Sequence, residues 1–504
     1  MAVIEQVSSI ETAKASLTLA VIGLFLYPVG LAIYNLFFHP LRSYPGPLLW
    51  RLTDIPFDYH IVRGTLQHRI CEIHKQYGPE VRIGVNELSF ADSRAWKDVF
   101  AHRPEFPKDR RKLVMPPNGS HSILGAPAEE HARFRRLLAH AFSEKGLREQ
   151  EPRIKKYMDL LVDRLNEKAI AKQATNIVDW YTATVFDVIG ELAWGESFHG
   201  LEERRVHDWV SAILGNVKYV FQTVALRRHG LGRFSSWLMD PEVQRKRMEN
   251  CKLSSELAEK RAQMGGEPRG DFWDRVLIKS ADDNMTGEGM TQAEMVNNAS
   301  VLVLGGAETS ATTLSGTTYL LLKHPDKMKK AVQEVRSAFK SSDEIDVYSV
   351  NRLSYMSAVL EEAMRIYPPV PDQAQRTPPV GGGQVLGKWL PEEACIHVHQ
   401  YSLNHSETNF HRADEFVPER WLPDAPAEFE KDDKYAFQPF SVAVRNCIGR
   451  NLAYAEMRLI LAKVLYHFDV ELDPSQTGDW FDQKSYGVWF KGPLQVRLKA
   501  RADI

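Results

Sequence analysis

Cysteine is scarce. The chain of 504 residues holds four, Cys71, Cys251, Cys395 and Cys447, far apart and without a Cys-x-x-Cys pair. That argues against a disulfide framework or a zinc site and fits a reducing compartment. Net charge is nearly absent too, at −2, so no whole-chain field draws in nucleic acid. Internal repeats, low-complexity linkers and flavin or nicotinamide fingerprints are also missing. What remains, 44% hydrophobic and 25% charged, is the composition of a protein that buries a sizeable core.

One uncharged run stands out, ASLTLAVIGLFLYPVGLAIYNLFF, from Ala15 to Phe38. As a helix it would be roughly 36 Å long, enough to cross a bilayer with tilt. A cleavable signal peptide is the competing reading, but it would have a basic leading segment and a shorter apolar stretch. Here Glu5 and Glu11 precede the run against one Lys14, while Arg42 and Arg51 follow it, which puts the C-terminal bulk in the cytosol. The expected organisation is a short lumenal N-terminus (1–14), a transmembrane anchor (15–38), a stiff Pro/Gly-rich hinge around Pro45-Gly46-Pro47 (39–50) and one large domain (51–504).

Within that domain EVRIGVNELSFAD (Glu80–Asp92) is strand-like, and helical spacing dominates from Glu129 to about Gly265. GGEPRGD (Gly265–Asp271) reads as an exposed loop. A helix of roughly 48 Å should run from about Thr291 to Lys323 and stop at His324-Pro325. Strand and turn character returns between Arg376 and His399. The fold class is mostly α with small β-sheets.

Several stretches carry chemistry. Cys447, in FSVAVRNCIG, precedes GRNLAYAEMRLILAKVLYHF, so it sits just before a helix whose positive end favours a thiolate. Gly449 lets the backbone pass close to a flat group, and the fork of Arg445 suits a carboxylate. A buried packing cysteine is the bland alternative. The long helix contains GGAETS (Gly305–Ser310), whose adjacent glycines cost about 1 kcal/mol each relative to alanine. They open the helix beside Glu308 and Thr309, or they serve close packing. Glu362 and Arg365 in EEAMRIYPPVP share a helix face and can pair. His131 and Arg135 lie four apart in EEHARFRRLLAHAFS, and Arg376 opens RTPPVGGG.

In this order, these stretches resemble the cytochrome P450 family over nearly the whole chain. Phe440, Arg445, Cys447 and Gly449 match its signature Phe-x-x-Gly-x-Arg-x-Cys-x-Gly, while Ala443 replaces the glycine and Val444 stands where proline is common. The resemblance implies a cytochrome P450 fold, with Cys447 as the axial ligand of the iron of haem b. Thr309 and Glu308 match the oxygen-activating motif and would relay protons. Glu362, Arg365 and Arg420, the last from FVPERW, would form a structural network. His131, where many members have tryptophan, would bind the haem propionates with Arg135, Arg376 and Arg445.

The implied function is that of a haem-thiolate monooxygenase that activates dioxygen and oxidises an apolar small molecule. It would take electrons from NADPH through a separate, membrane-bound cytochrome P450 reductase, with cytochrome b5 as a further donor, at the endoplasmic reticulum. Arg136 and Arg450 fall in the expected docking face. A haem-thiolate isomerase or dehydratase that does not use oxygen is the alternative, although such relatives can dispense with Thr309; a non-catalytic haem sensor or carrier leaves Gly305–Ser310 unexplained. SILGAPAEEHARFRRLLAHAFSEKGLREQ and WFDQKSYGVWFKGPLQVRLKAR resemble filamentous-fungal members, including the isotrichodermin hydroxylase-like group, which implies tailoring of a terpenoid, polyketide or alkaloid. Expected pocket walls are Met115–Leu124, Val303, Leu304, Ala307, Val370–Gln373 and Tyr486–Val488. Asp372 and Gln373 would either orient a polar group of the substrate or stand as solvated turn residues.

Overall fold

The helix Gln292–Lys323 organises the fold. Thr291 accepts from the Glu294 amide and the Glu294 carboxylate accepts from the Thr291 amide, a reciprocal cap that fixes the first turn. Pro325 cannot continue the helix and instead opens the next one, Pro325–Ala338. From Ser310 to Leu321 every residue is buried, although seven of the twelve carry hydroxyls. Ser315 and Thr317 satisfy theirs by donating to the Ala311 and Thr313 carbonyls, each at 2.7 Å. The helix packs against Ile177–Trp194, Ser354–Ile366 and Arg450–His467.

The computed structural model describes residues 14, 16, 18, 26–109, 118–234, 241–264, 269–282, 288–372 and 375–501. Small sheets flank the helices. Glu80–Arg82 runs antiparallel to Glu87–Phe90, which runs parallel to Cys395–Val398 and sets Ser89 opposite His397. Gln495–Ala500 lies between Thr175–Asn176 and Phe468–Leu472 in a second sheet. One extensive apolar core fills the helical body, and a smaller cluster gathers around Trp50, Phe57 and Ile70.

Much of the expected span Ala15–Phe38 lies outside the described residues. Residues 26–37 are helical and expose Leu26, Tyr27, Val29, Ile33 and Phe37. Among the described residues no helix is long and apolar enough to cross a membrane. Pro45–Pro47 is non-helical but docked, since the Pro45 carbonyl accepts from the Arg82 amide at 2.7 Å. A Cβ on Gly46 would collide with the Arg82 carbonyl. With Leu41, Tyr44 and Trp50 buried, this stretch packs on the globular body.

Candidate active site

A cavity of about 520 Å³ lies between the long helix and the loop that carries Cys447. Leu302, Gly305, Gly306, Thr309, Ser310 and Thr313 line it from the long helix, at the three- and four-residue spacing of one helix face. The two glycines differ. A Cβ on Gly306 would press on Ile189, so packing demands that glycine, whereas one on Gly305 would meet open space. Thr309 faces the cavity with its hydroxyl donated to the Gly305 carbonyl at 2.7 Å.

Cys447 lines the same cavity from its own loop, together with Phe440, Arg445 and Gly449. Its amide donates to the Phe440 carbonyl at 2.8 Å, and Gly449 caps the helix Arg450–His467. Burial pushes the thiol up, while the Gly449 amide, Arg135 and Arg450 pull it down. Ala443, in the signature's glycine position, has φ +60°, the left-handed region that glycine adopts without strain. Cys395 is fully buried in its strand, with Sγ 3.8 Å from His397 Nε2, and is absent from the cavity lining. Glu87, Cys395 and His397 bring their ligand atoms within 4.8 Å of one another, but away from that lining.

Beside the cavity, cations gather. Arg376 and Arg445 both bind Glu105, the former at 3.2 Å. Lys108 lies beside them, its ammonium lowered to about 7 by burial and by Arg376 and Arg445. His131 is lowered to about 4 by burial and the same cations. Arg376 Nε is buried without a hydrogen-bond partner among the described residues. Arg135 does not turn to this cluster: its Nη1 donates to the Asn446 carbonyl at 2.6 Å and Nη2 to the Asn446 side chain, so it braces the cysteine loop. Glu308 is also placed differently from expectation. It points away from the cavity lining to an ion pair with Lys491.

The structural network is assembled and dry. Glu362 accepts from Arg365 Nε and Nη2, both at 2.8 Å, and from Arg420 Nε at 3.0 Å, with all three side chains fully buried. The Val417 amide and the Trp421 indole complete its acceptors. Burial works against this charge, but the two arginines outweigh it and hold the carboxyl below its usual range.

The expected walls are shifted. Ile123, Leu124, Val370, Asp372 and Gly487 line the cavity; Val303, Leu304 and Ala307 do not, because the face one step round the helix is the one that meets it. Residues 115–117 and Gln373 lie outside the described residues. Lys108, Glu105 and Lys491 had no local sequence signal, since each acts through partners remote in the chain.

The family model for cytochrome P450 matches residues 41–498. Among curated proteins the chain is 47% identical over 488 residues to versicolorin B desaturase of Emericella nidulans, covering 96% of this chain and 98% of that one. It is 44% identical over 482 residues to averantin hydroxylase of Dothistroma septosporum, covering 95% and 90%. A cytochrome P450 monooxygenase of Penicillium aethiopicum is 42% identical over 506 residues, covering 99% and 93%.

Proposed function

Because the chain belongs to the cytochrome P450 family, we propose that Cys447 is the thiolate ligand of its haem and that Thr309 delivers protons on the opposite side of the cavity. The protein is a haem-thiolate monooxygenase that oxidises an apolar small molecule in fungal secondary-metabolite biosynthesis. The observation that carries the residue assignment is that Cys447 and Thr309, 138 residues apart in the chain, line one cavity.

The residues present fit haem. Lys108, Arg376 and Arg445 concentrate positive charge around one carboxylate, Glu105, and leave Arg376 Nε unpaired, an arrangement that two propionates would complete. Lys108, Arg376 and Arg445 would hold those groups, with His131 as a neutral partner. When bound, haem supplies the activation of dioxygen and the oxidising power. Cys447 would supply electron density through its sulfur. Arg135 holds the loop that positions that sulfur. Thr309 Oγ1 can exchange its bond to Gly305 for a water in the cavity and pass a proton through it. Glu308, held by Lys491, supports this wall from behind.

We place electron supply outside the chain, with an NADPH-dependent reductase and cytochrome b5 meeting the exposed Arg136 and Arg450. Attachment to the endoplasmic reticulum membrane through residues 15–38, with the body in the cytosol, is supported by the uncharged run and by exposed Leu48, Leu49, Ile55, Tyr59 and Leu231 on the body. For substrate, the relatives' names support desaturation or hydroxylation of a compound like versicolorin B or averantin.

The test is the spectrum of the reduced protein with carbon monoxide, on the parent and on Cys447→Ser, followed by turnover of versicolorin B and averantin with a reductase. The strongly red-shifted thiolate band should appear in the parent and vanish in the variant. A parent without that band overturns the assignment.

A further inference from the structure

Asp372 lines the cavity from the turn after the helix Ser354–Ile366. Its side chain is only 5% exposed. Oδ2 accepts from His397 Nδ1 at 2.9 Å and from Gln375 Nε2 at 2.8 Å, while Oδ1 is buried and has no hydrogen-bond partner among the described residues. Burial opposes ionisation of this carboxyl, but His397 outweighs it and keeps the group below its ordinary value.

The support behind Asp372 is unusually firm. The other ring nitrogen of His397 meets Glu87 Oε2 at 2.8 Å. Ionised carboxylates can only accept, so the ring donates to both and carries positive charge between them. Glu87 is itself clamped by Arg228, which also reaches Asp54 and Asp58 at 3.0 Å each. A buried oxygen without a donor costs free energy wherever nothing completes it. In this chain several buried groups fix the orientation of Asp372, leaving Oδ1 without a partner among the described residues at a cavity that Pro369, Val370 and Gln375 also line from the same stretch of chain.

We infer that Asp372 determines specificity, with Oδ1 accepting a hydrogen bond from a hydroxyl on the substrate. The selected class is an apolar compound with a phenol or alcohol, held by that group at a fixed position in the cavity. A neutral hydroxyl suits the site better than an amine, because His397 already balances the charge of Asp372. This rests on the monooxygenase reading above, in which the cavity receives substrate.

The experiment measures dissociation constants by calorimetry on the haem-loaded full chain, with 9-phenanthrol and its methyl ether as probes. A hydrogen bond to a charged group is worth about 1.5–3 kcal/mol, so the parent should prefer the phenol by at least about tenfold. Asp372→Ala should bring the ratio near one while leaving ether affinity within about twofold. In Asp372→Asn, the His397 and Gln375 donors pin the amide oxygen at the Oδ2 position and turn the NH₂ to the cavity. The preference should therefore vanish or invert in a variant of the same shape. A parent that does not discriminate, an Asp372→Ala variant that retains the preference, or an equal loss for both probes overturns the inference. The carbon monoxide band, recorded on the same samples, separately reports whether the haem-thiolate reading stands.

Discussion

Lys491 and Glu308, 183 residues apart, form an ion pair with side chains only 5% and 1% exposed. The lysine also donates to Thr312 Oγ1 at 2.9 Å. The C-terminal segment is thereby pinned to the long helix one turn from Thr309. Lys491→Met leaves a buried carboxylate unpaired and should cost about 3–5 kcal/mol. The double variant Lys491→Met/Glu308→Gln should recover much of it, because it removes the charge as well as its partner. Thermal melting of the parent, Lys491→Met, Glu308→Gln and the double variant checks this; a Lys491→Met variant as stable as the parent would count against a dry pair.

Ala443 offers a gain. A left-handed backbone costs an L-residue roughly 1–2 kcal/mol, and glycine escapes that cost but gives back part of it through the unfolded chain. Ala443→Gly should therefore raise stability by up to about 1 kcal/mol and leave the carbon monoxide band in place. A lower melting temperature would mean that the methyl group makes packing contacts worth more than the strain.

The contrast between Cys447 and Lys491 shows what the sequence can tell. Cys447, Phe440, Arg445 and Gly449 lie within ten residues, so their spacing is itself the signal. The long helix was equally legible, because Thr291, Glu294 and Pro325 act on their own neighbours. Glu362 and Arg365 were visible as a helical pair, and Arg420 only through the family resemblance. Lys108, Lys491 and His397 get their meaning from partners that the fold brings from far along the chain. The choice of Val303 and Ala307 over Leu302 and Gly305 as cavity walls failed for another reason: that stretch is apolar nearly all round, so periodicity leaves the cavity-facing side open.

Glu362 should tolerate little. Glu362→Gln leaves Arg365 and Arg420 in a fully buried site without their shared countercharge, which costs about 3–5 kcal/mol. The expected result is a sharp fall in soluble, haem-loaded protein, measured as the ratio of Soret to protein absorbance. Normal loading and melting would show that the remaining acceptors of the arginines, including the Asn404 and Ala413 carbonyls and Asp432, suffice.

Glu456 predicts a pH dependence. It lies on the helix after Cys447, lines the cavity, and has Oε1 buried without a hydrogen-bond partner among the described residues. Burial alone raises its carboxyl to about 8. Below about pH 4.5 the carboxyl is protonated in folded and unfolded chains alike. As pH rises from there to about 8, the unfolded chain gives up the proton while the folded one keeps it, so each pH unit favours unfolding by about 1.4 kcal/mol. Its contribution is thus fully present at low pH and lost as pH rises through the folded value. Glu456→Gln removes this dependence, so the variant should gain on the parent steadily between pH 5 and pH 8. Melting temperatures of both proteins at the two pH values test it. A constant difference between them would mean that the folded protein ionises Glu456 as readily as the unfolded chain, and therefore that a donor or a cation reaches its buried oxygen.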